Sequence, residues 1–222
     1  MPELPEAEVA ARQLRERVVG ATVRDCWIGR EDIVREGLPS LEQYRQAKIT
    51  GVERKGKSVI LHFLCGKEPR FLVAELGMTG LLLFRSTLTK HPQHTHFILH
   101  LDGCCEPDIR YWNPRRFGRL SLLDRAGLDR YVARRFGHDP LTISHEQFLR
   151  VLRATRSRLK SLLMRQQVIA GIGNIYANEI LFRSRLHPNQ PSNSIPGKSI
   201  TRLHQVMGEV LREAIAMGGS SV

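Results

Sequence analysis

The first six residues, Met1-Pro2-Glu3-Leu4-Pro5-Glu6, place a proline beside two carboxylates. Because the second residue is small, we expect removal of Met1, which would leave Pro2 with a free secondary amine. The reference pKa of an α-amino group is about 8, and a helix that begins just downstream disfavours the ammonium form further. A neutral amine attacks an aldehyde-like carbon to form an iminium ion, and Glu3 or Glu6 could protonate a departing ring oxygen. The alternative is that these residues only begin a helix.

The charge of the chain indicates its partner. Of 222 residues, 34 are Lys or Arg and 22 are Asp or Glu, which gives a net charge of +12 and a pI of about 10.2. Such a chain is attracted to polyanions, and neutralising phosphates releases counterions. Nucleic acid is therefore the leading partner, although a structural protein that associates with RNA would share this charge.

Neither membrane contact nor metal binding is expected of this chain. It has no apolar run of transmembrane length, and its acidic, proline-bearing start is not a signal peptide. The four cysteines, Cys26, Cys65, Cys104 and Cys105, have neither zinc-ligand spacing nor the pattern of a disulfide framework. We therefore expect a reducing, cytoplasmic location and no metal.

Short strand-like segments follow a predicted helix over residues 1–19, whose apolar stripe is Val9, Leu14 and Val18. Turn residues such as Gly51 and Gly77 separate the strands, which are predicted over 22–28, 58–64, 70–76, 80–85, 96–101, 109–112 and 118–123. Several short strands in sequence favour a β-sandwich.

After about residue 130 the apolar period becomes helical. Ser144 and Gln147 form a predicted capping box, Gly171–Asn174 a turn, and helices are predicted over 158–168, over 175–184 and from about 200. The predicted fold class is α+β: an N-terminal helix plus an antiparallel β-sandwich in residues 1–130, then a helical domain in 131–222, with a hinge near 125–140.

Five further motifs accompany the opening. They are Lys55-Gly56-Lys57-Ser58, Leu76-Gly77-Met78-Thr79-Gly80, His94-Thr95-His96, Asn113-Pro114-Arg115-Arg116-Phe117-Gly118, and Gln167-Val168-Ile169-Ala170-Gly171-Ile172-Gly173-Asn174-Ile175-Tyr176-Ala177-Asn178-Glu179-Ile180-Leu181. In this order and separation they resemble the formamidopyrimidine-DNA glycosylase/endonuclease VIII family along nearly the whole chain. The last stretch resembles the helix–two-turn–helix motif of that family, and Leu4 resembles the formamidopyrimidine branch.

The resemblance implies a bifunctional DNA glycosylase and AP lyase that acts on damaged double-stranded DNA as a monomer in the bacterial cytoplasm, associated with the nucleoid. It implies that Pro2 attacks the sugar C1′ and that Glu3 is the acid and base of base release. Glu6 would position the deoxyribose or a water, and Lys57 would transfer a proton in β,δ-elimination. This chemistry requires neither a metal nor a redox cofactor.

The resemblance also implies DNA contacts. An everted base leaves a void in the duplex, which Met78, Arg115 and Phe117 would fill. Asn174 and the backbone of Gly171–Gly173 would hold a phosphate at a helix N-terminus. Further phosphate contacts are predicted for His94, Lys160 and Arg156, and a solvated basic position is an equal alternative for Arg156.

Two departures from the family pattern stand out. The family usually has Asp before Pro114, where this chain has Asn113, so a carboxylate that would pair with an arginine is absent. The sequence ends at Val222, before the lesion-recognition loop and the four-cysteine zinc finger that usually follow. One structural zinc is expected only if the natural chain continues into that finger.

Two other functions stay open at this point. An endonuclease VIII-like enzyme would remove oxidised pyrimidines instead of oxidised purines such as 8-oxoguanine and formamidopyrimidines. A non-catalytic nucleic-acid-binding protein is the second, because similar Gly-Ile-Gly-Asn turns occur in a ribosomal small-subunit protein that binds RNA. Such a binder would need none of Pro2, Glu3 and Lys57.

Overall fold

The computed structural model describes residues 2–85 and 92–219, so that Met1, residues 86–91 and residues 220–222 lie outside the described part. The chain divides into two compact units. The sheet unit contains Pro2, Ala7–Arg54 and Ser58–Tyr131, and the helical unit contains Glu3–Glu6, Lys55–Lys57 and the chain from Val132 onward. The predicted domains, 1–130 and 131–222, place both short segments with the strands, whereas the structure groups them with the helices.

Helix α1, Leu4–Val18, begins in the helical unit and continues in the sheet unit. Its buried stripe has helical spacing, i to i+3 or i+4, and consists of Leu4, Ala7, Ala11, Leu14 and Val18. The prediction of Val9 in this stripe was wrong, because the two alanines occupy the buried face and Val9 is only half-buried.

The described part of the sheet unit holds nine strands in one hydrogen-bonded sheet of order β2-β9-β5-β4-β3-β1-β7-β8-β6. They are β1 Thr22–Ile28, β2 Val34–Glu36, β3 Lys48–Lys55, β4 Ser58–Cys65, β5 Glu68–Glu75, β6 Leu81–Phe84, β7 Thr95–Asp102, β8 Asp108–Trp112 and β9 Arg119–Leu123. The pairs β1–β7, β4–β5, β5–β9, β6–β8 and β7–β8 are antiparallel, as predicted, but β2 runs parallel to β9.

Two strands escaped prediction, and Gly51 lies within one of them instead of in a turn. Strand β3 buries only Ile49 and Val52, and its other side chains include Lys48, Glu53, Arg54 and Lys55. A charged strand with a central glycine lacks the apolar alternation on which sequence reasoning depends. Strand β2 has only three residues, too few for any period.

The remaining helices are α2 Arg125–Arg135, α3 His145–Arg153, α4 Leu159–Leu163, α5 Asn174–Ser184 and α6 Gly197–Ala216. The Ser144–Gln147 capping box is confirmed, with both reciprocal hydrogen bonds present. Helix α2 occupies most of the predicted hinge. The predicted helix over 158–168 ends at Leu163, because residues 166–170 extend along Gly137 and His138. None of the described helices is long and apolar enough to cross a membrane.

Candidate active site

The turn before α5 is shaped by glycines and by one glutamine. The side chain of Gln166 accepts the N–H of Gly171 at 2.8 Å and donates to the carbonyl of Ile172 at 2.8 Å. Gly171 has φ of +102°, and a Cβ there would lie 2.8 Å from the Cβ of Leu4. The turn can therefore approach the start of α1 closely, and the N–H of Leu4 donates to the carbonyl of Gly171 at 3.0 Å.

Glu3 is fully buried at the N-terminus of α5. Its carboxylate accepts the backbone N–H groups of Gly173 at 2.6 Å, Ile175 at 2.9 Å and Tyr176 at 3.4 Å. These are the donors that a helix N-terminus leaves without intrahelical partners, and the helix dipole favours a negative charge there. The carboxyl group of Glu3 is thus held in one orientation by the backbone.

Glu6 connects the starts of α1 and α5. Its carboxylate accepts the backbone N–H of Glu3 at 2.8 Å, as the third residue of a capping box does. Its other oxygen accepts the hydroxyl of Tyr176 at 2.8 Å. Tyr176 lies in the last motif of the sequence, but nothing in that motif indicated that its hydroxyl would reach the N-terminal segment.

Lys57 lies in the two-residue turn between β3 and β4. Burial lowers the pKa of its amine below the ordinary value, and the carboxylates of Glu3 and Glu6 partly oppose this. A Cβ added to Gly173 would lie 2.5 Å from Oε1 of Glu3 and 2.6 Å from Nζ of Lys57. The carboxylate and the amine therefore flank the same point, where a proton donor and a proton acceptor are both available.

Pro2 is buried and directly precedes Glu3 in the chain. The predicted removal of Met1 concerns a residue outside the described part. Three of the four predicted catalytic residues, Glu3, Glu6 and Lys57, thus form one cluster in the helical unit, here called the Glu3 cluster together with Gly173 and Tyr176.

Met78, Arg115 and Phe117 lie in the sheet unit on two loops, Leu76–Gly80 and Asn113–Gly118, here called the wedge loops. Phe117 is 57% exposed, and the guanidinium of Arg115 lies 5.0 Å from the centre of its ring. The loops touch through their backbones: a Cβ on Gly77 would lie 2.4 Å from the nitrogen of Gly118. The exposed side chains of Arg115 and Phe117 are therefore carried by a closely packed base, whereas Met78 is half-buried.

His94 lines a cavity of about 500 Å³ in the sheet unit, together with Trp27, Arg30, His96 and Arg116. Burial lowers the pKa of His96, its hydrogen bond with the carbonyl of Asn113 partly opposes this, and the positive charges of Arg30 and Arg116 lower it further. The cavity is therefore electropositive, which suits contact with phosphate.

The other predicted phosphate contacts lie in the helical unit. Arg156 is exposed between α3 and α4, Lys160 is half-buried in α4, and Asn174 is exposed at the start of α5. The backbone of Gly171–Gly173 was predicted to hold phosphate. That prediction was wrong for two of its amides, because the N–H of Gly171 donates to Gln166 and that of Gly173 to Glu3.

Comparison with known families decides the identity of the chain. Residues 1–120 match the model of the formamidopyrimidine-DNA glycosylase N-terminal domain, and residues 136–222 match that of the formamidopyrimidine-DNA glycosylase H2TH domain. The chain belongs to the formamidopyrimidine-DNA glycosylase family. This confirms the predicted helix–two-turn–helix motif and the α+β class, and it makes the chain a DNA glycosylase of base-excision repair.

Individual relatives agree with this membership. The formamidopyrimidine-DNA glycosylase of Thermus thermophilus is 38% identical to this chain, over 100% of this chain and 79% of the relative. The formamidopyrimidine-DNA glycosylase of Solibacter usitatus is 37% identical, over 100% of this chain and 80% of the relative. The crystal structure of the Thermus thermophilus protein has a TM-score of 0.84 at 37% identity, over 100% of this chain and 79% of its own. The crystal structure of the Lactococcus lactis enzyme, bound non-covalently to DNA with an AP site, has a TM-score of 0.87 at 28% identity. The match covers 98% of this chain and 83% of that one.

Two residues of this glycosylase were missed by sequence reasoning. Gln166 holds the turn that carries Gly173, and Tyr176 holds Glu6. A polar side chain before a glycine turn is a recognisable signal, but its partners depend on tertiary structure. Across residues 2–85 and 92–219, no group of three or more His, Cys, Asp or Glu could hold a metal ion.

Proposed function

We propose that this glycosylase removes oxidised purines, such as 8-oxoguanine and formamidopyrimidines, from double-stranded DNA and then nicks the strand, with Pro2 as nucleophile. It would act as a monomer in the bacterial cytoplasm, associated with the nucleoid. The Glu3 cluster is the observation that carries the proposal. Glu3 directly follows Pro2, and its buried carboxylate is held by backbone hydrogen bonds. A Cβ at Gly173 would lie within 2.6 Å of both this carboxylate and the amine of Lys57. A solved neighbour at 28% identity is MutM in complex with DNA that contains carbocyclic 8-oxo-G.

The first half of the reaction uses Pro2 and Glu3. The lone pair of the Pro2 amine attacks C1′ as the base leaves, and the departing base takes a proton from water. The attacking amine passes its own proton to the carboxylate of Glu3, which then donates it to the ring oxygen as the sugar opens. The product is an iminium ion between Pro2 and C1′. The hydrogen bonds from Gly173 and Ile175 keep the carboxyl group of Glu3 in place for this transfer.

The second half nicks the strand. The iminium acidifies the hydrogen on C2′, and loss of that proton expels the 3′ phosphate; a second elimination expels the 5′ phosphate. Lys57 is our candidate for this proton transfer, because burial lowers the pKa of its amine and so raises the fraction that can accept a proton. These steps use protein groups and water alone. One structural zinc stays a prediction, and it applies only if the natural chain continues into the four-cysteine zinc finger of the family.

The lesion must leave the base stack to reach Pro2. We propose that Met78 and Phe117 fill the void and that Arg115 hydrogen-bonds the orphaned base. Phosphate contacts would come from His94, Lys160, Arg156 and Asn174. For the turn before α5, the contact would fall to Asn174, since the amides of Gly171 and Gly173 already have acceptors.

Borohydride trapping tests this proposal. With Met1 removed, the chain should crosslink to duplex DNA that contains an abasic site, and mass spectrometry of the N-terminal peptide should find the adduct on Pro2. A chain that retains Met1 is the matched control and should not crosslink through Pro2. An adduct on a lysine would refute the nucleophile. Faster excision of an oxidised pyrimidine than of 8-oxoguanine would refute the substrate class.

A further inference from the structure

The two wedge loops share one buried polar side chain, that of Asn113. We infer that Asn113 is a positioning residue that holds both loops in one arrangement, so that the side chains of Met78, Arg115 and Phe117 enter DNA together. This inference rests on the proposed function, because it assigns those three side chains to the void left by the lesion.

The oxygen of the Asn113 side chain connects the two loops directly. The residue has no exposed surface. Its Oδ1 accepts the backbone N–H of Arg116 at 3.0 Å within its own loop, and the hydroxyl of Thr79 from the other loop at 3.4 Å. Thr79 in turn accepts the backbone N–H of Arg115 at 3.4 Å. The neighbours of Met78 and Phe117 are thus joined through one amide.

The nitrogen of the same amide connects the loops to the sheet. Nδ2 donates to the hydroxyl of Tyr111 at 3.0 Å, and that hydroxyl donates to the carbonyl of Glu75 at 2.6 Å. Glu75 ends strand β5, which leads into the first wedge loop. An amide can accept and donate at once, whereas an ionised carboxylate can only accept. With Asp at this position, the hydroxyl of Tyr111 could donate its one hydrogen either to the carboxylate or to the carbonyl of Glu75, but not to both.

Asn113 also stabilises an uncommon backbone conformation. Arg116 has φ of +54°, in the left-handed region that non-glycine residues rarely adopt. Both Oδ1 and the carbonyl of Asn113 accept its N–H, at 3.0 and 3.2 Å. Because Arg116 separates Arg115 from Phe117, this turn decides where both of those side chains point.

The test compares Asn113→Ala, Asn113→Asp and Tyr111→Phe with the unaltered chain. Asn113→Ala should lower single-turnover excision of 8-oxoguanine from duplex DNA roughly tenfold, which is what loss of one to two hydrogen bonds produces. Asn113→Asp, which keeps the acceptor, should lose less. Trapping on single-stranded abasic DNA should persist, because a single strand leaves no void to fill. Asn189→Ala, an exposed position outside both loops, is the matched control.

A fluorescent base separates positioning from a general structural role. With 2-aminopurine opposite the lesion, the unaltered chain should increase the fluorescence as the wedge side chains enter, and Asn113→Ala should reduce that increase. If Asn113→Ala melts below the assay temperature, Asn113→Asp and Tyr111→Phe carry the test. Wild-type excision and fluorescence in these variants would overturn the inference, as would equal loss on single-stranded DNA. Failure of the unaltered chain to trap abasic DNA would instead refute the proposed function.

Discussion

The Glu3 cluster and the wedge loops are built in opposite ways. In the Glu3 cluster the carboxylate itself is buried, and its hydrogen-bond partners belong to the protein. In the wedge loops the buried polar group is Asn113, while Phe117 and Arg115 project from the base that it holds. Groups proposed to move protons are fixed before substrate arrives, whereas groups proposed to contact bases are left available on a fixed backbone.

The difference has an energetic consequence. A buried carboxylate that loses its donors, or donors that lose their acceptor, cost about 1–3 kcal/mol or more of folding stability. An exposed ring that is removed costs almost nothing, because little apolar area was withdrawn from water. Mutations in the Glu3 cluster should therefore affect folding and chemistry together, and mutations of wedge side chains should affect activity on duplex DNA alone.

Glu3→Gln should have the largest effect. The amide has one acceptor oxygen where the carboxylate has two, so its NH₂ group would face the N–H of Gly173 or Ile175. Excision of 8-oxoguanine should fall roughly 100-fold or more through loss of acid catalysis, with some cutting left at a preformed abasic site. Single-turnover rates on the two DNAs measure this. Glu16→Gln, exposed on α1, is the control, and unchanged excision in Glu3→Gln would exclude Glu3 as the essential acid.

Gly173→Ala should break the cluster without altering any of its charged groups. The backbone of Gly173 has φ of −124°, which alanine tolerates, so any effect comes from the added methyl group. That methyl would lie 2.4 Å from Cδ of Glu3 and 2.6 Å from Nζ of Lys57, and these groups must move apart. We expect excision to fall by about tenfold or more, since small misplacements of catalytic groups are costly.

Gly197→Ala is the matched control for this substitution. Nothing lies within 4 Å of a Cβ at Gly197, which begins α6 in the same unit. Its rates should equal those of the unaltered chain. If Gly173→Ala matched them as well, the close approach of Glu3 and Lys57 to this residue would have no part in catalysis.

Phe117→Ala tests the wedge loops, which are compared here with the Glu3 cluster. Excision from duplex DNA should fall by about tenfold through loss of the wedge, whereas the free energy of unfolding should change by no more than about 0.5 kcal/mol. Phe148→Ala, at a fully buried position, should instead cost about 3–5 kcal/mol of stability. Phe182→Ala, 78% exposed on α5, is the activity control. A stability loss in Phe117→Ala as large as that in Phe148→Ala would contradict the proposed division of roles.

Particular residues show which features of the fold and of the site can be predicted from the sequence. Strand β4 and the Ser144 cap could be predicted, because apolar runs and capping boxes are local signals. The Glu3 cluster could be named only through family motifs, since its members are separated by up to 173 residues. Tyr176, Gln166 and the three hydrogen bonds of the Asn113 amide were not predictable, because a polar side chain carries no periodic signal and its partner is decided by the tertiary fold.

The smallest expected effect concerns the protonation of Lys57. Burial lowers its pKa and the carboxylates of Glu3 and Glu6 raise it, so Glu6→Gln should lower it further. NMR titration of a ¹³Cε-labelled lysine, assigned with Lys57→Arg, measures the shift, and Glu16→Gln should leave it unchanged.

The lowered pKa of Lys57 also predicts how the free energy of unfolding depends on pH. The folded pKa lies below the unfolded value of 10.5, so the protonated amine opposes folding at neutral pH. That cost disappears as the pH rises from the lowered folded pKa towards 10.5. Lys57→Met should therefore stabilise the chain more at pH 7 than near the upper end of that window, and the opposite order would mean that Glu3 and Glu6 outweigh burial.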